Sequence, residues 1–168
     1  MSAVSHNESS SDGSSDSPGP KLLRAVLVGR SDGGVRTVVT NRGGNELITD
    51  EPVSRGGTGS APSPLETVVG ALCGCSSVTF ERAAREAGLA YTAIDYDAAY
   101  TLDRRGLLGE APVRPHYQTV QVEISVHTDA TVEQLAEVVA VTEQRCPVRN
   151  LLVDAGVALV MKWSSTPA

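Results

Sequence analysis

The run Ser63-Pro64-Leu65-Glu66 fixes where a long helix begins, and that helix constrains the rest of the chain. Ser63 as N-cap, Pro64 at the first helical position and Glu66 at the third form a capping box, in which each of the two polar side chains satisfies an otherwise unpaired backbone N–H. Leu65, Val68, Leu72, Cys75 and Thr79 then recur at spacings of three and four, Val69, Phe80 and Ala83 widen the stripe, and Gly88 is a natural terminator. The pattern predicts a helix over 64–87 with Cys75 on its apolar face. Gly70 and Gly74 lie inside it, each costing about 1 kcal/mol relative to Ala. Close approach of another backbone along a Gly70, Gly74 and Ser77 strip is the expected compensation.

Strands surround this helix. Apolar, β-branched runs at 22–29 and 35–41, joined through Ser31-Asp32-Gly33-Gly34, and a third at 46–49 after Arg42-Gly43-Gly44 predict three antiparallel strands. Residues 50–62, rich in Gly, Pro and Ser, read as a long irregular loop of the kind that often carries function. Further strands are expected at 91–102 and 117–128. In the second, Val120, Val122, Ile124 and Val126 alternate with Gln121, Glu123 and Ser125, as one buried face requires. Between them, 103–115 reads as a mobile connection. A second capping box, Thr131 to Gln134, opens a helix whose inward face (Val132, Leu135, Val139, Thr142) ends at Cys146. Pro147 then starts a short helix over 148–154, and a strand over 157–163 closes the order β-β-β-α-β-β-α-α-β, an α+β domain.

Residues 1–20 are serine-rich and acidic without Lys or Arg, which predicts a disordered tail followed by one domain over 21–168. The tail also lacks the basic start and apolar stretch of a secretory signal, so a cytoplasmic protein is expected. No run approaches the ~20 apolar residues of a membrane span. A net charge of -6, with no concentrated basic face, argues against nucleic acid as a partner. Three cysteines in 168 residues cannot form a fully paired disulfide framework.

Cys75 and Cys146 are the residues to explain, since two packed helices would bring them within reach. One account makes them small buried hydrophobes, inert unless the thiol pKa is lowered. Zinc held by Cys73, Cys75, Cys146 and a His is another, but Cys73 and Cys75 diverge by about 200 degrees on a helix and do not readily share a metal. His116 and His127 flank a strand and read as surface residues, and His6 lies in the tail. Gly56-Gly57-Thr58-Gly59 lacks the Gly-Lys-Ser/Thr ending of a phosphate loop. With few aromatics, a substrate pocket would be aliphatic, built from Leu65, Val69, Leu72 and Val148.

Asp50-Glu51-Pro52, Gly56-Gly57, Ala61-Pro62-Ser63-Pro64-Leu65-Glu66, Gly70-Ala71-Leu72-Cys73-Gly74-Cys75 and the distant Cys146-Pro147-Val148 together resemble the OsmC/Ohr family, nearest its general OsmC-like branch. The resemblance implies an intertwined homodimer with antiparallel sheets around a central cysteine-bearing helix, and active sites at the subunit interface. It implies a thiol-dependent peroxidase acting on organic hydroperoxides, and on hydrogen peroxide as a further substrate, without metal, haem or flavin cofactor. Cys75 would be oxidised to a sulfenic acid, Cys146 would resolve it to a disulfide, and a dithiol reductant would restore the pair; Cys73 matches no functional position. The family pairs its nucleophile with an Arg held by a Glu. Gly29-Arg30-Ser31-Asp32-Gly33 resembles the Arg-bearing turn, making Arg30 the first choice and Arg55 the second. Glu66 stands one place later than the Glu of the hydroperoxide-resistance subgroup, whose equivalent here is Leu65. That displacement keeps open a non-catalytic reading, a small-molecule-binding or redox-sensing protein.

Overall fold

A computed structural model of the chain describes residues 19–168, so the expectation for the tail lies outside the described residues except at Gly19 and Pro20. Strands β1 (Leu27–Ser31), β2 (Thr37–Asn41) and β3 (Glu46–Thr49) form an antiparallel sheet in the order β1-β2-β3. The first strand is shorter than its apolar run. Leu27 pairs with Asn41, the last residue of β2, so anything before Leu27 has no neighbour to bond. Leu22 and Leu23 are accordingly exposed. At the other end Ser31 pairs with Thr37, which assigns Val35 to the turn and not to β2.

Helix α1 (Pro64–Ala87) keeps the predicted bounds because its caps are local: the Ser63 and Glu66 side chains satisfy one another's backbone N–H, and Gly88 closes the helix at φ 70°. A second sheet follows, from β4 (Ala93–Leu102), β5 (Tyr117–His127) and β6 (Ala158–Thr166), with β5 in the centre. β4 and β5 run antiparallel, whereas β5 and β6 run parallel because α3 (Val132–Arg145) and α4 (Pro147–Asp154) carry the chain across between them. β6 extends beyond the predicted 163 to follow β5, whose His127 pairs with Thr166.

The core lies between this second sheet and the helices. Val120, Val122, Ile124 and Val126 meet Val69, Leu72 and Phe80 of α1, together with Leu135, Val138 and Leu152. Phe80 stacks on Trp163 and meets Tyr91 edge-on, closing one end. The connection over 103–115 holds a short helix, α2 (Arg104–Leu108), capped by Asp103. It also folds back tightly, since a Cβ on Gly106 would sit 2.7 Å from the Val113 carbonyl oxygen.

Among the described residues, two surfaces lack a substantial intramolecular neighbour. The first sheet makes no substantial contact outside itself and buries no residue in β1–β3, leaving Leu27, Val28 and Leu47 exposed. On α1, Cβ atoms placed on Gly70 and Gly74 would meet nothing within 4 Å. The backbone approach expected there does not occur within the protomer. Both glycines lie across the helix from its buried face of Val69, Leu72, Ser76 and Phe80.

Candidate functional site

Cys75 and Cys146 meet where α1 packs against the junction of α3 and α4. Cys75 stands mid-helix at an edge of the buried face and remains partly exposed, while Cys146 is 0% exposed. Cys146 owes its place to Pro147, which cannot continue the α3 hydrogen-bond ladder. The residue therefore caps two helices at once: its N–H donates to the Thr142 carbonyl at the end of α3, and its carbonyl accepts from Asn150 at the start of α4. It closes α3 as a cap in extended conformation, not as the last helical residue the sequence suggested. Both thiols are free and interact directly, and the Ser76 hydroxyl lies 3.8 Å from the Cys146 sulfur.

Burial pushes the Cys75 thiol pKa up, the Val148 backbone N–H opposes this, and the Cys146 side chain pushes it up further. No Arg or Lys is among the strongest influences on this sulfur. Cys73 occupies the opposite edge of the same helix face, where burial also raises its pKa. Beside it the Ser77 hydroxyl donates to the Cys73 carbonyl oxygen and meets the Tyr96 hydroxyl at 2.8 Å. The two sulfurs do not converge on one metal position.

The loop after β3 is organised by Asp50. Its fully buried carboxylate accepts from the N–H and hydroxyl of both Thr58 and Ser60 and from the Glu51 N–H. Led by the Thr58 hydroxyl, these donors hold Asp50 far below the usual carboxylate range. Gly57 is obligatory, because a Cβ there would overlap the Glu51 carbonyl. The result is a fixed platform for Arg55, which pairs with Glu51 at 2.5 Å and lies near enough to Glu66 to interact with its charge. Glu66 is held by the capping box at 2.7 Å from the Ser63 N–H; this contact first, then the Ser63 hydroxyl and the Arg55 guanidinium, lowers its pKa.

Arg30 is placed elsewhere. It lies on β1 with an exposed side chain paired to Asp32 at 2.5 Å, on the sheet that makes no substantial contact with other elements among the described residues. Within one protomer, then, the arginine grouped with Glu66 is Arg55.

Leu65, Val69, Leu72 and Val148 all join one cluster with both cysteines. This cluster is part of the packed core, and it is not purely aliphatic. Tyr100 and Tyr117 pack edge-on at 5.2 Å beside Leu65, and the Tyr117 hydroxyl donates to the Leu65 carbonyl oxygen at 2.8 Å. Their places at the ends of two alternating runs were the available signal, since β4–β5 register sets these ends side by side. A cleft of about 560 Å3 lies away from the cysteines, between Arg24, Val26, Leu27 and the Asn41-Arg42-Gly43 turn.

A family described as OsmC-like protein matches the chain over residues 57–162. Among curated sequences, none matches. The fold is similar to that of an OsmC-like protein from Mycoplasma pneumoniae, at 13% identity and a TM-score of 0.71, covering 87% of this chain and 98% of that one. An organic hydroperoxide resistance protein OsmC from Legionella pneumophila is similar at 17% identity and a TM-score of 0.65, with 86% and 99% covered. The organic hydroperoxide resistance protein OhrB of Bacillus subtilis is similar at 16% identity and a TM-score of 0.58, with 84% and 98% covered.

Proposed function

The chain belongs to the OsmC-like protein family, and from that premise we propose that it is a thiol-dependent peroxidase that reduces organic hydroperoxides. The observation that carries this reading is the pairing of a partly exposed thiol, Cys75, with a buried one, Cys146. The Cys75 thiolate attacks the distal peroxide oxygen, the O–O bond breaks, and the alkoxide takes a proton to leave as an alcohol. Cys75 becomes a sulfenic acid, the first reversible step of thiol oxidation. The Cys146 sulfur then displaces its oxygen as water and closes the disulfide. A dithiol reductant reopens it. Leu65, partly buried against the core cluster that holds both cysteines, would offer apolar surface to an alkyl or aryl hydroperoxide.

The reaction needs a cation at Cys75 because burial in the protomer favours the neutral thiol. We assign that supply to a homodimer. The exposed first sheet of one copy covers the Gly70/Gly74 strip of the other, and Arg30 arrives with it, while Arg55 and Glu66 are contributed from within the protomer. The exposed leucines and valines of that sheet support this assembly, as do the two helix glycines with no internal neighbour. The folded unit is residues 21–168, acting in the cytoplasm; among the described residues no helix is long and apolar enough to cross a membrane.

A second reading has one observation in its favour. The raised Cys75 pKa within the protomer suits a protein that binds small molecules or senses oxidants slowly, without turnover. Steady-state reduction of cumene hydroperoxide with a dithiol decides between them: the peroxidase reading expects turnover that Cys75→Ser abolishes, and the second expects none in either protein.

A further inference from the structure

Ser76 behaves differently from the other hydroxyl residues of α1. Thr67, Ser77 and Thr79 each donate back to the carbonyl four residues earlier, the usual arrangement for a hydroxyl inside a helix. Ser76 is fully buried, and its hydroxyl partner is the Cys146 sulfur at 3.8 Å. Either atom can donate in this contact: a neutral thiol can give its S–H to the Ser76 oxygen, and a Cys146 thiolate can accept from the Ser76 O–H. A thiolate is a strong, charge-assisted acceptor. The Ser76 hydroxyl is therefore placed to donate to Cys146 in the charged form required when the disulfide closes and when it opens.

Burial adds a direction. Of the two sulfurs, Cys75 is partly exposed and Cys146 is sealed at 0% exposure. Thiol–disulfide exchange requires the attacking thiolate to reach one sulfur while the other leaves, and it runs faster when the leaving thiolate is stabilised.

We propose that Ser76 is the positioning residue for Cys146, and that through it the reductant is directed to the Cys75 sulfur with Cys146 as the leaving thiolate. This rests on the reading of Cys75 and Cys146 as a redox pair. In the opening step a reductant thiolate forms a new S–S bond to Cys75, the Cys75–Cys146 bond breaks, and the electron pair leaves on Cys146, where the Ser76 O–H receives it. The second thiol of a dithiol, as its thiolate, then attacks the reductant's own sulfur in the mixed disulfide. It departs as an oxidised cyclic disulfide and frees the Cys75 thiolate.

The test uses the full chain oxidised with diamide, so it does not depend on peroxide turnover. Oxidised protein is treated briefly with 2-mercaptoethanol, quenched with iodoacetamide and mapped by peptide mass. Mercaptoethanol is expected on Cys75 and the alkyl group on Cys146. In Ser76→Ala the mixed disulfide is expected about tenfold more slowly, with part of the mercaptoethanol now on Cys146, and with an unchanged unfolding midpoint. Mercaptoethanol on Cys146 in the unaltered protein overturns the proposal, as does a Ser76→Ala protein that opens at the same rate with the same distribution. If diamide closes no Cys75–Cys146 bond, the redox pair itself falls. Normal opening chemistry without peroxide reduction removes the peroxidase reading alone.

Discussion

Cys75 of α1 and Cys146, at the cap between α3 and α4, interact directly with unequal exposures, the first partly exposed and the second fully enclosed. On the proposed peroxidase reading, this asymmetry divides the labour of a two-thiol cycle: the partly exposed sulfur would meet the oxidant, and the enclosed one would react with its neighbour.

Removing the second thiol separates the two steps. Cys146→Ser is expected to consume one thiol per peroxide instead of two and to retain a Cys75 sulfenic acid that dimedone traps within a single turnover. Mass spectrometry of the labelled peptide checks it. Substituting this buried sulfur by a smaller, more polar oxygen costs about 1–2 kcal/mol of stability, so folding is checked in parallel by urea denaturation.

Arg30 and Arg55 are the two arginines proposed to support the Cys75 thiolate. The raised Cys75 pKa means that, without a cation, its thiolate forms only at higher pH than an ordinary cysteine's. In the proposed dimer the pH midpoint for alkylation of Cys75 is therefore expected to fall, and Arg30→Ala to return it upward, with peroxide reduction about tenfold slower near neutral pH. Arg55→Ala is expected to act less strongly, because Arg55 is not among the strongest influences on the Cys75 sulfur although it lies in the same protomer. An alkylation profile unmoved by Arg30→Ala removes Arg30 from the site.

The helix glycines report on assembly. Inside the protomer a side chain at Gly74 meets open space, so Gly74→Leu would stabilise an isolated helix by nearly 1 kcal/mol. Against a partner's sheet the same side chain is an obstruction. Sedimentation is expected to show dimer for the unaltered protein and a shift toward monomer for Gly74→Leu, with no loss of helix by circular dichroism.

Asp50 gives the fold an acid limit. Its pKa is depressed in the folded state, so its contribution is full above the ordinary carboxylate pKa of about 3.9 and is lost as pH falls from there toward the lowered value. Asp50→Asn is expected to lower the urea midpoint at pH 7 and to flatten the pH dependence of stability below pH 5. It also loosens Arg55, whose place depends on the loop that Asp50 gathers.

What the sequence revealed followed from how local the determinant was. The capping box at Ser63 and Glu66 acts within one helical turn, and α1 begins where those residues say it must. Cys146-Pro147 is equally local, so the junction of α3 and α4 was readable. The start of β1 was not, because Leu22 and Leu23 satisfy strand patterning while lacking a partner beyond Asn41. Arg30 looked well placed by its neighbours in sequence, but its sheet makes no substantial contact with other parts of the protomer. The Ser76–Cys146 contact joins residues far apart in sequence, and Tyr117 meets Leu65 only because β5 passes the start of α1. Asp50 was visible as part of a motif, yet its role depends on a loop closing over it, which no periodicity encodes.

The central claim is that Cys75 and Cys146 form a peroxide-driven disulfide. Its most direct test is a titration of the fully reduced protein with cumene hydroperoxide, counting free thiols and locating any new bond by peptide mass. The account predicts loss of two thiols per chain at micromolar peroxide, with Cys75 joined to Cys146 and Cys73 still free. Retention of all three thiols at millimolar peroxide, or a bond through Cys73 in place of Cys146, contradicts it.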